Sequence, residues 1–400
     1  MTSREAGRPS VTNLGAQEGP GASLGNYRLI GKLGQGGMAT VYLALSQKQG
    51  GFTKVLVLKV MRSELAEDPE FRAMFLAEAR IAAHLNHPNV IHTYEVGEAD
   101  GTIFIAMEFL EGRSLAAILA RPGAMLPLEL RVRIIADALL GLHYAHDLTD
   151  FDGAPFDIVH RDVSPPNILV SFSGHTKIAD FGIAKIGRSA SMSLQTKAGV
   201  LKGKVGYMAP EQIMNTTVDR RADIFAAGVL LWEALANRRL VARDEEEVAA
   251  LARRVRGEAS VRELAPDAPE VLVAACDRAM SVDPDDRFAT ALEMYEALED
   301  YLRVTPNSGT ADVAAYLEEH HGDERTALKR KVEEQVRGAT RALVVDSTNM
   351  SAESNVPSDA AVAVPTSFLN DASPTRTTYL TRRPNASAGR NATFVAIGLA

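Results

Sequence analysis

Apolar runs of strand length open the folded part of the chain. Tyr27–Leu33, Thr40–Leu45, Val55–Val60 and Ile103–Phe109 are short and rich in β-branched or aromatic residues, with turn residues Gly50-Gly51 and Asp100-Gly101 between them. One amphipathic helix, about Asp68–Leu85, interrupts this series. After Gly112 the apolar spacing changes to i, i+3, i+4 and predicts helices over Leu128–His146, Asp223–Asn237, Glu246–Arg256, Glu270–Met280 and Ala289–Arg303. A strand-rich piece followed by a helix-rich piece predicts an α+β protein of two lobes. The pattern fails at both ends. Residues 1–26 hold five glycines, two prolines and no aromatic residue, too little to repay the entropy of ordering, and are expected to be disordered. Beyond Arg303 a break at Thr305-Pro306-Asn307-Ser308-Gly309 leads into Ala311–Ala342, which reads as one or two polar helices in an extension over 304–345. Residues 346–400 form a low-complexity tail, in which Ser and Thr make up 13 of the 45 residues from Asp346 to Arg390.

Composition narrows the class without fixing it. With 46% hydrophobic and 24% charged residues, the 400-residue chain can bury a sizeable core. A net charge of −8 argues against a nucleic-acid partner held by bulk electrostatics. A single cysteine, Cys276, excludes an intrachain disulfide and a multi-cysteine zinc site and suits a reducing cytoplasm. Cys276 itself reads as a small core hydrophobe. No apolar run reaches the roughly 18 residues of a membrane helix, and residues 1–25 lack the apolar stretch of a signal peptide.

Three groups of residues carry possible chemistry. Gly34-Gln35-Gly36-Gly37 lies between two predicted strands, where glycines let backbone N–H groups approach phosphate oxygens, although the same cluster alone also fits a plain hairpin turn. Lys59 ends an apolar strand, an odd place for an ammonium without an anionic partner, and Glu78, mid-helix among Phe75, Leu76 and Ile81, is its natural one, although a strand-end lysine reaching water and a glutamate on a solvated helix face fit the same residues. His160-Arg161-Asp162-Val163-Ser164-Pro165-Pro166-Asn167 is followed by Asp180-Phe181-Gly182, so polar groups sit at the ends of short apolar strands, an arrangement that suits Mg²⁺ with substrate phosphates. His143 with His146, and His320 with His321, read as core, capping or solvated histidines rather than a metal pair.

With these motifs in order, joined by Met208-Ala209-Pro210-Glu211, Asp223 with Gly228, and Asp283 to Phe288, the stretch from Tyr27 to about Arg303 resembles a bacterial eukaryotic-like serine/threonine protein kinase. The resemblance implies a bilobal kinase fold, with an antiparallel sheet and one main helix in the N-lobe (27–110) and a mainly helical C-lobe (111–303). It implies ATP and Mg²⁺ (or Mn²⁺) as cofactors and protein substrates phosphorylated on Ser or Thr. Gly34, Gly36 and Gly37, with Gln35 between them, would cover the phosphates, and Lys59, oriented by Glu78, would hold the α- and β-phosphates. Asp162 would accept the substrate hydroxyl proton, and Asn167 and Asp180 would hold the metal. Met107 takes the gatekeeper position, the backbone of Glu108 and Leu110 would bond adenine, and Leu33, Val41, Val57 and Leu169 would sandwich it. Glu211 and Arg287 are implied as a structural ion pair.

Two departures from the family pattern bear on chemistry. The lysine usual two residues after the catalytic Asp is Ser164, and the threonine usual three residues before Tyr207 is Lys204. The expectation is an exchange of partners, with Lys204 delivering charge to the γ-phosphate and Ser164 bonding it. Ser193 and Thr196 are candidate phosphosites that would pair with Arg161, and self-association of two copies would permit autophosphorylation in trans. Asp147–Asp157 reads as a surface hairpin turning at Asp152-Gly153. The tail, with Thr375, Thr377, Thr378 and Thr381 beside arginines, could hold sites for phospho-dependent partners. The apolar Ala392–Ala400 resembles the start of a membrane helix, which would anchor a longer parent. The alternative reading is a pseudokinase, a nucleotide-binding scaffold, and Ser164 is its main support.

Overall fold

The computed structural model describes residues 22–47, 53–66, 68–181, 205–242 and 244–352. The first lobe is a sheet of six strands: β1 (Ser23–Leu24), β2 (Tyr27–Gln35), β3 (Ala39–Gln47), β4 (Thr53–Met61), β5 (Thr93–Ala99) and β6 (Thr102–Glu108). They lie antiparallel in the order β1-β2-β3-β4-β6-β5. The predicted strands are all present. β5 went unpredicted because it is the sheet edge, where Tyr94 and Glu95 face water and the apolar alternation is lost. After the single turn α1 (Ser63–Ala66), helix α2 (Pro69–His84) starts where Asp68 accepts the N–H of Glu70 and Pro69 pre-sets the first turn. Phe75 and Ala79 bury α2 against Met61, Ile103 and Ile105, which fixes the face that carries Glu78.

The second lobe begins with β7 (Gly112–Ser114), which pairs with β8 (Ile168–Ser171), itself paired to β9 (Thr176–Ile178). Its helices are α3 (Leu115–Leu119), α4 (Leu128–His146), α5 (Pro210–Met214), α6 (Arg221–Ala236), α7 (Glu247–Arg256), α8 (Glu270–Ala279) and α9 (Ala291–Val304). α6 is apolar on every side and buried almost throughout, as expected of the lobe's central helix. Gly228 lets α8 approach it: a Cβ there would lie 2.8 Å from the Cβ of Ala279. Cys276 packs at this contact, fully buried, as the sequence predicted. The Asp147–Asp157 segment is a hairpin in which Thr149 bridges Pro155 and the Asp150 carboxylate accepts the N–H groups of Asp152 and Ala154.

The extension is helical, as read, but not polar on every side. It is one helix, α10 (Thr310–Ala352), with a buried apolar face: Val313, Tyr316 and Leu317 join the helical-lobe core. His321, read as solvated, is 1% exposed. The stripe escaped notice because charged residues interrupt it. No helix among the described residues is long and apolar enough to cross a membrane.

Candidate active site

The two lobes bring the separated motifs into one cleft. Lys59 on β4 is paired in register with Val41 on β3 and Ile105 on β6, so its side chain leaves the strand toward α2. There its Nζ donates to Glu78 Oε1 at 2.5 Å and to Asp180 Oδ1 at 2.9 Å. Burial works against the ammonium, but the charges of Asp180 and Glu78 outweigh it and raise the lysine above its ordinary value. Desolvation likewise pushes the Asp180 carboxyl up, and the charge and hydrogen bond of Lys59 more than reverse this and hold it below the ordinary range. Both groups are therefore charged at neutral pH. An inward Glu78 with its cation replaces the solvated helix face that the sequence also allowed.

Behind this pair lies a mainly apolar recess lined by Met107, Ile105, Ile178 and Phe181 as well as the two ion-pair partners. Glu108, at the end of β6, is anchored reciprocally to His92. Its N–H donates to the His92 carbonyl at 2.9 Å, and its carboxylate accepts the His92 N–H and Lys177 Nζ, each at 2.7 Å. The hinge is thereby tied to β9 of the other lobe. Sequence reading placed Glu108 here for its backbone alone. Val57 pairs with Met107, whereas Leu33 is 46% exposed at the mouth of the cleft. A Cβ at Gly34 or Gly37 would meet nothing within 4 Å, so that loop is open to a ligand.

The loop bearing Asp162 is held from below. Asp223, buried at the start of α6, accepts the backbone N–H groups of His160 and Arg161, each at 2.7 Å, and the ring of His146 at 2.8 Å. This offsets the strain of Arg161, whose φ of +63° is rare for a non-glycine residue. His160 accepts the Asp162 N–H on Nδ1, which leaves Nε2–H to donate to the Ala179 carbonyl. Complete burial lowers its pKa and keeps it neutral, as that pairing requires. Asn167 Nδ2 donates to the Asp162 carbonyl at 2.8 Å and its carboxylate at 3.2 Å. Ser164 turns back to donate to the Asp162 carbonyl at 3.2 Å and is buried. Leu169, two residues past Asn167, sits on β8 opposite Ser114 and Lys177.

Asp180 has its second carboxylate oxygen, and Asn167 its amide oxygen, available once these bonds are made. Two oxygen donors are fewer than a protein cage needs, but suit Mg²⁺, which keeps waters and phosphate oxygens as ligands. Glu211 on α5 and Arg287 form a buried bidentate pair at 2.8 Å for both contacts, as expected. Lys204, Ser193 and Thr196 lie outside the described residues.

One group of residues was missed. Arg254 of α7 is 2% exposed and donates to the carbonyls of Gly206 at 2.8 Å and Met208 at 3.1 Å, with its Nε on Glu258 at 2.9 Å. Tyr207 between them bonds Glu233 at 2.8 Å, and Gln212 reaches the Arg161 carbonyl at 3.3 Å. The spacing of Arg254 and Glu258 was the available signal, but an arginine next to Arg253 on a helix reads as solvated.

The protein kinase domain model matches residues 27–339. This chain belongs to the protein kinase family. The kinase is 42% identical to the tyrosine-protein kinase MasK of Myxococcus xanthus, over 77% of this chain and 48% of that protein. It is 36% identical to the serine/threonine-protein kinase PknB of Mycolicibacterium smegmatis, over 67% of this chain and 41% of that one. The chain thus spans about half the length, or less, of these relatives. Its fold matches the crystal structure of the Mycobacterium tuberculosis PknI kinase domain with a TM-score of 0.52 and 29% identity, covering 70% of this chain and 97% of that one.

Proposed function

We propose that this kinase transfers the γ-phosphate of ATP to Ser or Thr hydroxyls of proteins, itself included. The observation that carries the reading is the intact network of Lys59, Glu78 and Asp180 facing an Asp162 that Asn167 fixes in place. Lys59 binds the α- and β-phosphates with Glu78 orienting its ammonium, and the backbone of Gly34, Gln35, Gly36 and Gly37 covers them. Val41, Val57, Leu33 and Leu169 sandwich adenine against the hinge at Met107, Glu108 and Leu110. Asp162 aligns the substrate hydroxyl and takes its proton, so catalysis is mainly positioning. Magnesium or manganese on Asn167 and Asp180 would neutralise phosphate charge. The same network weighs against a pseudokinase scaffold.

Ser specificity rests on the relatives named serine/threonine kinases. A tyrosine reading has one observation behind it, the 42% identity to a protein named a tyrosine kinase. Incubating the full chain with Mg²⁺-ATP, with Asp162→Asn as control, and hydrolysing the product to its phosphoamino acids decides between them. Phosphotyrosine alone refutes the Ser/Thr assignment, and no transfer at all refutes the kinase reading. Phosphosite mapping of the same product tests Ser193 and Thr196. For the exchanged pair, Ser164→Lys with Lys204→Thr should retain far more activity than Lys204→Thr alone. A double variant as inactive as the single one defeats the exchange.

A further inference from the structure

Helix α10 carries one stripe of contacts, buried through His321 and half-buried beyond it, that runs from the helical lobe to the sheet lobe. Val313 and Leu317 are each 1% exposed in the helical-lobe core. Two turns later Glu324 pairs with Arg113 of β7 at 2.6 Å and with Arg121, just after α3, at 2.9 Å. Arg325 and Lys329 then reach Glu111 at 3.2 and 3.5 Å, in the short link between β6 and β7 that joins the lobes. Beyond them Val332 and Val336 pack on the Ile30, Leu43 and Leu45 cluster of the sheet lobe, against which Val55 and Phe109, next to the hinge, also pack. Gln335 lies so close over β2 that a Cβ at Gly31 would be 2.6 Å from its Nε2. Residues 313, 317, 321, 324, 328, 332 and 336 recur every three or four positions and define one helix face. The rise from Val313 to Val336 is about 35 Å, long enough to reach both lobes.

The part of the sheet it covers is decisive. Side chains two apart on a strand share a face, so Val41, Leu43 and Leu45 of β3 point the same way, as do Val55 and Val57 of β4. The stripe of α10 therefore packs one pleat away from Val41 and Val57, on the face that roofs the adenine site. Leu43 and Leu45 are 2% and 1% exposed there.

We infer that α10 is a brace of the nucleotide site, with Arg325, Lys329, Val332 and Val336 as positioning residues that hold hinge and sheet in the ATP-binding geometry. This rests on the reading of the chain as an ATP-dependent kinase. ATP binds between lobes whose relative tilt is set at the hinge. A helix fastened to both lobes and to Glu111 removes tilted states that would otherwise compete with binding, and so raises affinity by pre-organisation. The residues that touch phosphate and substrate hydroxyl are left untouched.

The test uses the full 400-residue chain, with myelin basic protein as phosphoacceptor and calorimetric titration with Mg²⁺-ADP as a direct binding readout. Val332→Asp with Val336→Asp is expected to raise KM for ATP and Kd for ADP about tenfold, with KM for the acceptor unchanged. Glu111→Lys should act in the same direction, and adding Arg325→Glu and Lys329→Glu should restore nucleotide affinity. Glu333→Ala, on the exposed face, should change nothing. If the double valine variant does not fold, the charge-exchange set decides. Unchanged nucleotide affinity in Glu111→Lys, or a KM for acceptor that rises in parallel with that for ATP, overturns the brace. A wild-type chain that binds no nucleotide overturns the kinase reading, and the brace with it.

Discussion

The Glu211–Arg287 pair allows a quantitative test of how the helical lobe is held together. Arg287 makes both contacts to Glu211 at 2.8 Å and also donates to the carbonyls of Ser281 at 2.8 Å, Arg221 at 3.0 Å and Val282 at 3.1 Å. All five of its N–H groups are thus engaged, and both side chains are buried. Arg287→Met strands a buried carboxylate, at about 3–5 kcal/mol, and adds the desolvation of three carbonyls, for a total of about 5 kcal/mol. Glu211→Gln keeps the shape and one acceptor but loses the charge, at about 2 kcal/mol. The double variant no longer contains a stranded charge and should cost about 4 kcal/mol rather than the sum, a coupling of about 3 kcal/mol. Trp232, the only tryptophan, lies buried on α6, so denaturant unfolding followed by its fluorescence reports this lobe. Costs that add to within about 0.5 kcal/mol would refute the argument, since the charge would then not be what makes the loss of Arg287 expensive.

Arg254→Met should destabilise the same lobe by about 3 kcal/mol, because it leaves the Gly206 and Met208 carbonyls unsatisfied and takes from the buried Glu258 one of its two cations, with Arg253 the other. It should also lower kcat, through the link from Gln212 to the Arg161 carbonyl; steady-state kinetics and thermal unfolding check the two effects. Gly228→Ala should cost about 1–3 kcal/mol, since its Cβ would sit 2.8 Å from Ala279 and 2.9 Å from Met280 Cγ, outweighing the gain in helix propensity. Burial and the nearby Lys177 hold the His87 imidazole below its ordinary pKa. The unfolded chain therefore binds the proton more readily, so stability should be full above about pH 6.5 and fall below it. His87→Phe, which keeps the ring stack on Tyr144, should flatten that part of the unfolding-against-pH curve.

Much of the catalytic cleft was legible because its residues are chemically out of place in the sequence. A lysine ending an apolar strand, a glutamate on a buried helix face and an Asp with Asn five residues on all signal a partner before any partner is seen. The strands and helices were legible where apolar residues run together or recur at helical spacing, as in β3, β4 and α4. β5 was not, because an edge strand has no strict alternation to show. Asp223 stood in the sequence as a mark without a role, since a carboxylate that caps two backbone N–H groups 62 and 63 residues away leaves no local trace.

Sequence by itself determined the two-lobed α+β architecture and the identity of the residues in the cleft, because periodicity and side-chain chemistry are local properties. Only the tertiary structure decided what holds that cleft in shape: Asp223 beneath the catalytic loop, Arg254 on the Gly206 and Met208 carbonyls, Glu108 between His92 and Lys177, and α10 across the hinge. Each of these joins charged or polar groups far apart in the chain. A charged residue reads as solvated in sequence unless its partner is known, and here packing alone supplies the partner.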